Sequence, residues 1–155
     1  MGVDSVTVAP YRRILLAVDL TDDTPPIAER ARALADHDHA TLELLHVVEP
    51  LPLMVPDAPE VMPPTMLQTQ DELVRGTTRQ LVELAAKLGL HKDRATVLVG
   101  NTKTEIVRVA RERGCDLIVL GSRERHGLSL LVDFTEDAVL HKAPCDVLAV
   151  RVKTA

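Results

Sequence analysis

Five short aliphatic runs, separated by stretches of helical periodicity, constrain this chain more than any other feature. The runs are RRILLAVDL (12–20), TLELLHVVEP (41–50), ATVLVG (95–100), CDLIVLG (115–121) and CDVLAVRV (145–152). Runs of this length, rich in Val, Ile and Leu and bounded by charges, Gly or Pro, read as strands buried on both faces. TDDTPP after the first run reads as a loop. It leads into IAERARALADHD, where Ile27, Ala31, Leu34 and Ala35 share one helical face and Pro25 and Pro26 fit a helix start. A longer amphipathic segment spans 65–88, with Leu73, Leu81, Leu84, Ala85 and Leu88 near one stripe and Gly89 as its stop. NTKTEIVRVARERG predicts a third helix, with Thr102 and Glu105 as a capping box and Gly114 at the end. A last helix is expected over 135–141.

Strand and helix therefore alternate along the whole chain. That order demands right-handed crossovers and a parallel sheet. The predicted fold is α/β: one doubly wound, Rossmann-like domain over 1–155, with five parallel strands and helices on both faces. EPLPLMVPDAPEVMPP (49–64) interrupts the pattern. It holds six of the chain's 10 prolines, which rule out regular helix or central strand. It reads as a long exposed connection.

Composition narrows the partners. The 155 residues fit one domain, and 46% are hydrophobic while only 1% are aromatic, so the core is aliphatic. Few aromatics argue against single-stranded nucleic-acid binding, which relies on base stacking. A net charge of −5 gives no general field for DNA or anionic lipid. Cys115 and Cys145 form no CxxC and lie beside apolar runs, as expected of buried thiols in a reducing compartment. MGVDSVTVAPYRR lacks the pattern of a signal peptide, and no run approaches the ~18 apolar residues of a membrane span. A cytoplasmic location is expected, with neither nucleic acid nor membrane as partner.

Ligands of doubly wound sheets bind beyond the carboxyl ends of the strands. Those ends are marked here by Asp19, His46–Val48, Gly100 and Gly121. GSRERHGLSLLVDFTED (121–137) begins like a phosphate loop, with two glycines and small polar residues, yet carries Glu124, Asp133 and Glu136. Phosphate needs converging backbone N–H groups and an unblocked approach. A carboxylate at about 4 Å opposes each unit of phosphate charge by roughly 4 kcal/mol in a surface-like dielectric. Arg123 and Arg125 flank Glu124, and Lys103 stands at the same end of the sheet. Asp133 followed by Glu136 also has the spacing of a helix start, so Asp133 is expected to cap the last helix in place of a phosphate.

These residues together resemble the universal stress protein family. The resemblance rests on ILLAVDL, LLHVVEP, VGNTKTEIVRVARERGCDLIVLGS and GLSLLVDFTEDAVLHKAPCDVLAVRV, in that order. In nucleotide-binding members an aspartate ending the first strand and a valine after the second-strand histidine hold adenine. A glycine-rich loop after the fourth strand, closed by Gly-Ser or Gly-Thr, holds ribose and phosphates. The resemblance thus implies adenine contacts at Asp19 and Val47, a loop glycine at Gly100, and the first phosphate-loop glycine at Gly121. Gly127 and Ser129 also remain, and Thr135 offers a hydroxyl. The pattern departs where Glu124 replaces glycine and Asp133-Phe134 replaces Gly-Ser or Gly-Thr. Asp19 has a second reading, as a cap of its own loop. The resemblance also implies a homodimer paired through the last strand, whose apolar edge physics requires something to cover.

Other constellations carry less. DHDH (36–39) has metal-ligand residue types at a spacing that does not converge on one ion. His126 and His141 have no visible partner, and Ser129 lacks a GxSxG setting. Neither GxxxxGK[ST] nor GxGxxG occurs. Arg108, Arg111 and Arg113 read as a solvated helix face. With no paired carboxylates, metal cluster or nucleophile, an enzyme is not expected. The expected function is a stress-response interaction protein, homodimeric, with unidentified protein partners and weak or no ATP binding. The alternative is an ATP- or AMP-binding regulator with slow or no hydrolysis, in which Glu124 and Asp133 hold Mg²⁺.

Overall fold

A computed structural model of the chain describes residues 7–50, 64–123 and 135–152, without the side chains of Met66 and Arg123. In it, five strands form one parallel sheet: β1 (Arg13–Ala17), β2 (Thr41–Val48), β3 (Ala95–Val99), β4 (Leu117–Arg123) and β5 (Asp146–Val152). Their order across the sheet is β3-β2-β1-β4-β5. The chain winds one way from β1 to β3 and then returns to the other side of β1, so the switch in strand order falls between β1 and β4. Four helices make the crossovers: α1 (Thr24–Asp38), α2 (Pro64–Lys87), α3 (Thr102–Glu112) and α4 (Thr135–Lys142). A short 3₁₀ turn at Lys92–Arg94 leads into β3.

The period of two along β1 sorts the core into its two layers. Ile14 and Leu16 pack with Ala28, Ala31, Leu81 and Ala85, the inner faces of α1 and α2. Leu15 and Ala17 pack on the opposite face with Ile106, Val109, Ala110 and Val139, from α3 and α4. Both layers are aliphatic, and each fully buried Leu, Ile or Val contributes roughly 1.5–3 kcal/mol of transfer free energy. Pro25 and Pro26 occupy the first turn of α1, where their missing N–H groups have no helical partner. Gly89, at φ +71, closes α2 in the left-handed region.

Several expectations need correction. Thr102 is not a cap: Asn101 holds the extended N-cap conformation and its side chain accepts the Thr104 N–H at 3.1 Å. Asn is the better cap and lies one residue earlier. Glu105 is thereby displaced from the box position and pairs with Arg108. The fourth strand does not stop at Gly121. Gly121, Ser122 and Arg123 stay in β4, because Val150, Arg151 and Val152 of β5 run alongside them. Arg113 does not belong to a solvated face, since it bonds Glu43 at 3.3 Å and Thr96 at 3.1 Å. Leu73 leaves the α2 stripe and is 52% exposed, while Thr77 takes a buried place. The proline-rich connection lies outside the described residues except for Glu49, Pro50 and Pro64, and Pro64 already begins α2. No helix among the described residues is long and apolar enough to cross a membrane.

Candidate functional site

A cavity of about 380 Å³ opens at the switch point, beyond the carboxyl ends of β1, β2 and β4. Its lining includes Ala17, Val18 and Asp19 from β1 and its end, and Leu45, His46 and Val47 from β2. Thr102 and Ile106 come from α3, Leu120 and Gly121 from β4, and Thr135 and Glu136 from α4. Asp23 and Ile27 contribute from α1 and the residue before it, and Val152 from β5. The walls are therefore apolar side chains of the core, and the rim is polar.

Four of the residues singled out from sequence, Asp19, Val47, Gly121 and Thr135, line this one cavity. Gly100 does not. It follows β3, its N–H bonds Val48 O at 3.0 Å, and a Cβ there would stand 3.1 Å from Glu105 Cγ. Gly127, Ser129, Glu124, Asp133, Phe134, Arg125 and His126 lie outside the described residues. The proposed cap of α4 by Asp133 lies there too.

Asp19 caps its own loop. Its Oδ1 accepts from Thr21 Oγ1 at 3.0 Å and, at longer range, from the Thr21 N–H and Thr24 Oγ1. Leu20 beside it has φ +57, a left-handed conformation that costs a non-glycine residue about 1–2 kcal/mol. The loop after β1 is thus bent sharply at the cavity rim, with Asp19 holding the bend. Gly121 is needed for a different reason. A Cβ at this position would meet Ile27 Cδ1 at 2.5 Å, so glycine lets the Ile27 side chain of α1 lie directly against β4 here.

His46 brings a nitrogen to the cavity wall from an otherwise aliphatic strand. Its Nδ1 lies 2.7 Å from Val18 O, so Nδ1 carries the proton that is donated, and Nε2 is the acceptor in the neutral ring. Glu136 Oε1 accepts from Ser122 Oγ at 3.3 Å. Glu49, just past β2, accepts the Thr102 N–H at 3.1 Å. That amide and then the Thr102 hydroxyl hold the Glu49 carboxyl below its ordinary range, with Lys103 adding to the effect.

Asp23, Glu136, Thr102 and Glu49 were not singled out as site residues from sequence. Asp23 and Glu136 sit at helix starts, where acidic residues are common for reasons of helix electrostatics alone. Among the described lining residues there is no Lys or Arg, while Asp19, Asp23 and Glu136 are acidic. The described residues hold no group of three or more His, Cys, Asp or Glu arranged for a metal ion. The DHDH segment is taken up locally: Asp36 pairs with Arg32, Asp38 with His37 and the Tyr11 N–H, and His39 is the left-handed cap of α1. Cys115 is buried, and burial pushes its thiol up to about 11; Cys145 is raised for the same reason. Neither thiol is activated.

The universal stress protein family's sequence profile matches residues 10–151. The chain belongs to the universal stress protein family. Universal stress protein A homolog 2 of Coxiella burnetii is 37% identical over 144 residues, spanning 92% of this chain and 97% of the relative. Homolog 1 of the same organism is 33% identical over 143 residues, spanning 92% and 98%. Among solved structures, universal stress protein UspA from Lactobacillus plantarum superposes with a TM-score of 0.72 at 24% identity, over 93% of this chain and 100% of that one. A universal stress protein solved in complex with cAMP superposes with a TM-score of 0.67 at 19% identity, over 94% and 99%. These likenesses match the five-stranded parallel architecture, and membership makes this a stress-response family protein.

Proposed function

We propose that this universal stress protein acts as a regulatory, homodimeric interaction protein whose nucleotide-type cavity binds ATP weakly or not at all. The observation that carries the reading is the charge of the described lining. Ala17, Val47, Ile106 and Leu120 suit one face of a planar base, but Asp23 and Glu136 at the rim oppose a polyphosphate. A nucleotide seat normally presents helix-end amides, glycines or cations to that charge. Glu124, Asp133 and Phe134, which depart from the family's phosphate-loop pattern, support the same reading. A regulator of this kind works through protein partners in the cytoplasm, and no enzymatic step is assigned to it.

The edge position of the last strand supports dimerisation through β5. β5 is an edge strand, and its Val147, Leu148 and Val150 are only half-buried. An apolar edge favours pairing with a second copy about a two-fold axis. Light scattering at micromolar concentration is expected to give twice the chain mass, and a one-chain mass removes the dimer from the proposal.

Calorimetry and thermal shift with ATP and AMP, with and without Mg²⁺, test the site. A ligand at 100 times its dissociation constant stabilises by about 2.7 kcal/mol. The expected response to ATP is flat, and a shift of that size overturns the reading. The second reading is an ATP- or AMP-binding regulator with slow or no hydrolysis. It is favoured by the place of the cavity at the switch point and by the likeness to a family structure holding cAMP. In that case Glu124 and Asp133 would meet phosphate through Mg²⁺, and binding would appear only with the metal.

A further inference from the structure

β1 and β2 part at the cavity, and His46 stands in the fork. Their register ends at Ala17↔Leu45. One further main-chain bond follows, from the Val18 N–H to Leu45 O at 3.0 Å. In a parallel ladder the next bond returns from the second strand, here from the Val47 N–H to Val18 O. That bond would carry the register on to Val18 and His46, and the register does not extend there. Val18 O lies instead 2.7 Å from His46 Nδ1, which donates to it. Two residues on, Leu20 at φ +57 turns the chain away from β2. Alternate residues of a strand turn their main-chain groups to opposite neighbours. Leu45 O faces β1, and Val48 O faces β3, where it accepts the Gly100 N–H at 3.0 Å. The Val47 N–H therefore faces the side that β1 has left. Val47 is 7% exposed and lines the cavity. A buried main-chain N–H is almost always paired, so one that faces a cavity is met by an acceptor that enters it.

We propose that His46 is a positioning residue of the cavity: its ring holds Val18 O out of the β1–β2 ladder and so keeps the Val47 N–H open to an acceptor nitrogen of a planar base. The proposal rests on the reading of the cavity as a nucleotide-type site. His46 acts through Nδ1 and through Val47, and its own contact with the ligand is not required. Without the ring, Val18 O is free to take the Val47 N–H, and the ladder closes by one more bond across the place where the base edge would enter.

The test compares the full-length protein with His46→Val, His46→Asn and His46→Gln. An Asn amide places an N–H where Nδ1 stands, and a Gln amide places one where Nε2 stands. Calorimetric titration with adenosine reads the ligand, and amide hydrogen exchange at Val47, followed by NMR, reads the fork without it. His46→Val is expected to lose about five- to tenfold in adenosine affinity, the scale of one hydrogen bond. Its Val47 N–H should exchange at least about tenfold more slowly than the parent's, because it has gained a partner. His46→Asn should match the parent in both readings, and His46→Gln should follow His46→Val. Asn and Gln differ by one methylene, so this pair decides the matter even if His46→Val folds poorly. Parent-like exchange at Val47 in both His46→Val and His46→Gln overturns the proposal. So does adenosine affinity kept by Gln and lost by Asn, which would mean direct contact through Nε2. If the unaltered protein takes no adenosine, the reading of the cavity fails and the positioning role with it, a result distinct from an unaltered protein that binds adenosine no better than its variants.

Discussion

The two ends of the sheet are built on opposite plans. At the amino end, side chains lock strands to one another. Asp116 accepts the N–H groups of Arg12 and Arg13 at 2.8 and 2.9 Å, tying β4 to β1. Arg13 donates to Arg113 O at 2.7 Å, and Arg113 reaches Glu43 on β2 and Thr96 on β3. Tyr11 adds bonds to Asp38 and to Asp146 at the head of β5. Among the described residues at the carboxyl end, Asp19, Glu49 and Ser122 bond a nearby loop or helix start, and a cavity lies there. Loops after strand ends are where binding residues concentrate.

That contrast is broken most severely at Arg113. The Glu43 side chain is only 11% exposed, and it faces Arg113 at 3.3 Å and Arg94 at 3.6 Å. Replacing Arg113 by Leu leaves that carboxylate with Arg94 at 3.6 Å and is expected to cost about 2–3 kcal/mol in chemical denaturation, below the full buried-pair value because Arg94 remains and Arg113 is partly solvated. Adding Glu43→Leu should recover most of the loss. No recovery would mean that Arg113 acts through its aliphatic packing and not its charge.

At the open end the largest effect is expected at Gly121. An added methyl meets Ile27 Cδ1 at 2.5 Å, so Gly121→Ala should cost about 1–2 kcal/mol. The obstructing atom is a terminal methyl, so Ile27→Val in the same background should relieve the clash. If Gly121→Ala melts like the parent, the approach of α1 to β4 is looser than the geometry indicates.

Most of the fold was legible because burial on both faces leaves continuous aliphatic runs, and five of them alternate with amphipathic stretches. Boundaries slipped where side chains from distant segments decide them. Gly121 remains strand because β5 reaches that far, and the Asn101 cap outcompeted the Thr102 spacing. Arg113 was misread because its partner, Glu43, sits 70 residues away inside a strand that otherwise reads as core. Of the site, Asp19, Val47, Gly121 and Thr135 could be named from strand ends and family resemblance. The bond from the Thr102 N–H to Glu49 could not, since it joins β2's end to the start of α3, which no local pattern encodes.

A matched pair of aspartates sharpens the comparison at smaller magnitude. Asp116 caps two strand amides at short distance, whereas the bonds Asp19 accepts from Thr21 and Thr24 are longer. Asp116→Ala is expected to cost about 1–2 kcal/mol and Asp19→Ala about 0.5 kcal/mol, read from urea midpoints. Equal costs would remove the distinction between a locked end and an open one.

The smallest effect is carried by pH, and its sign is the same at both ends. Asp38 at the amino end is held below the ordinary carboxyl range by its bond to His37 and then by the Tyr11 N–H. Glu49 at the carboxyl end is held low by the Thr102 amide and hydroxyl. A carboxyl whose folded pKa is depressed stabilises the fold above its unfolded value, about 3.9 for Asp and 4.3 for Glu. That contribution is lost as pH falls through the depressed folded value. Melting temperatures of Asp38→Asn and Glu49→Gln should therefore lie below the parent's by a constant margin from neutral pH to about pH 5, and converge with it as the solution is acidified further. A margin that widens on acidification would mean that these carboxylates are held above their ordinary range. The bonds to His37, to the Tyr11 N–H and to the Thr102 N–H would then not be what governs these two carboxyls.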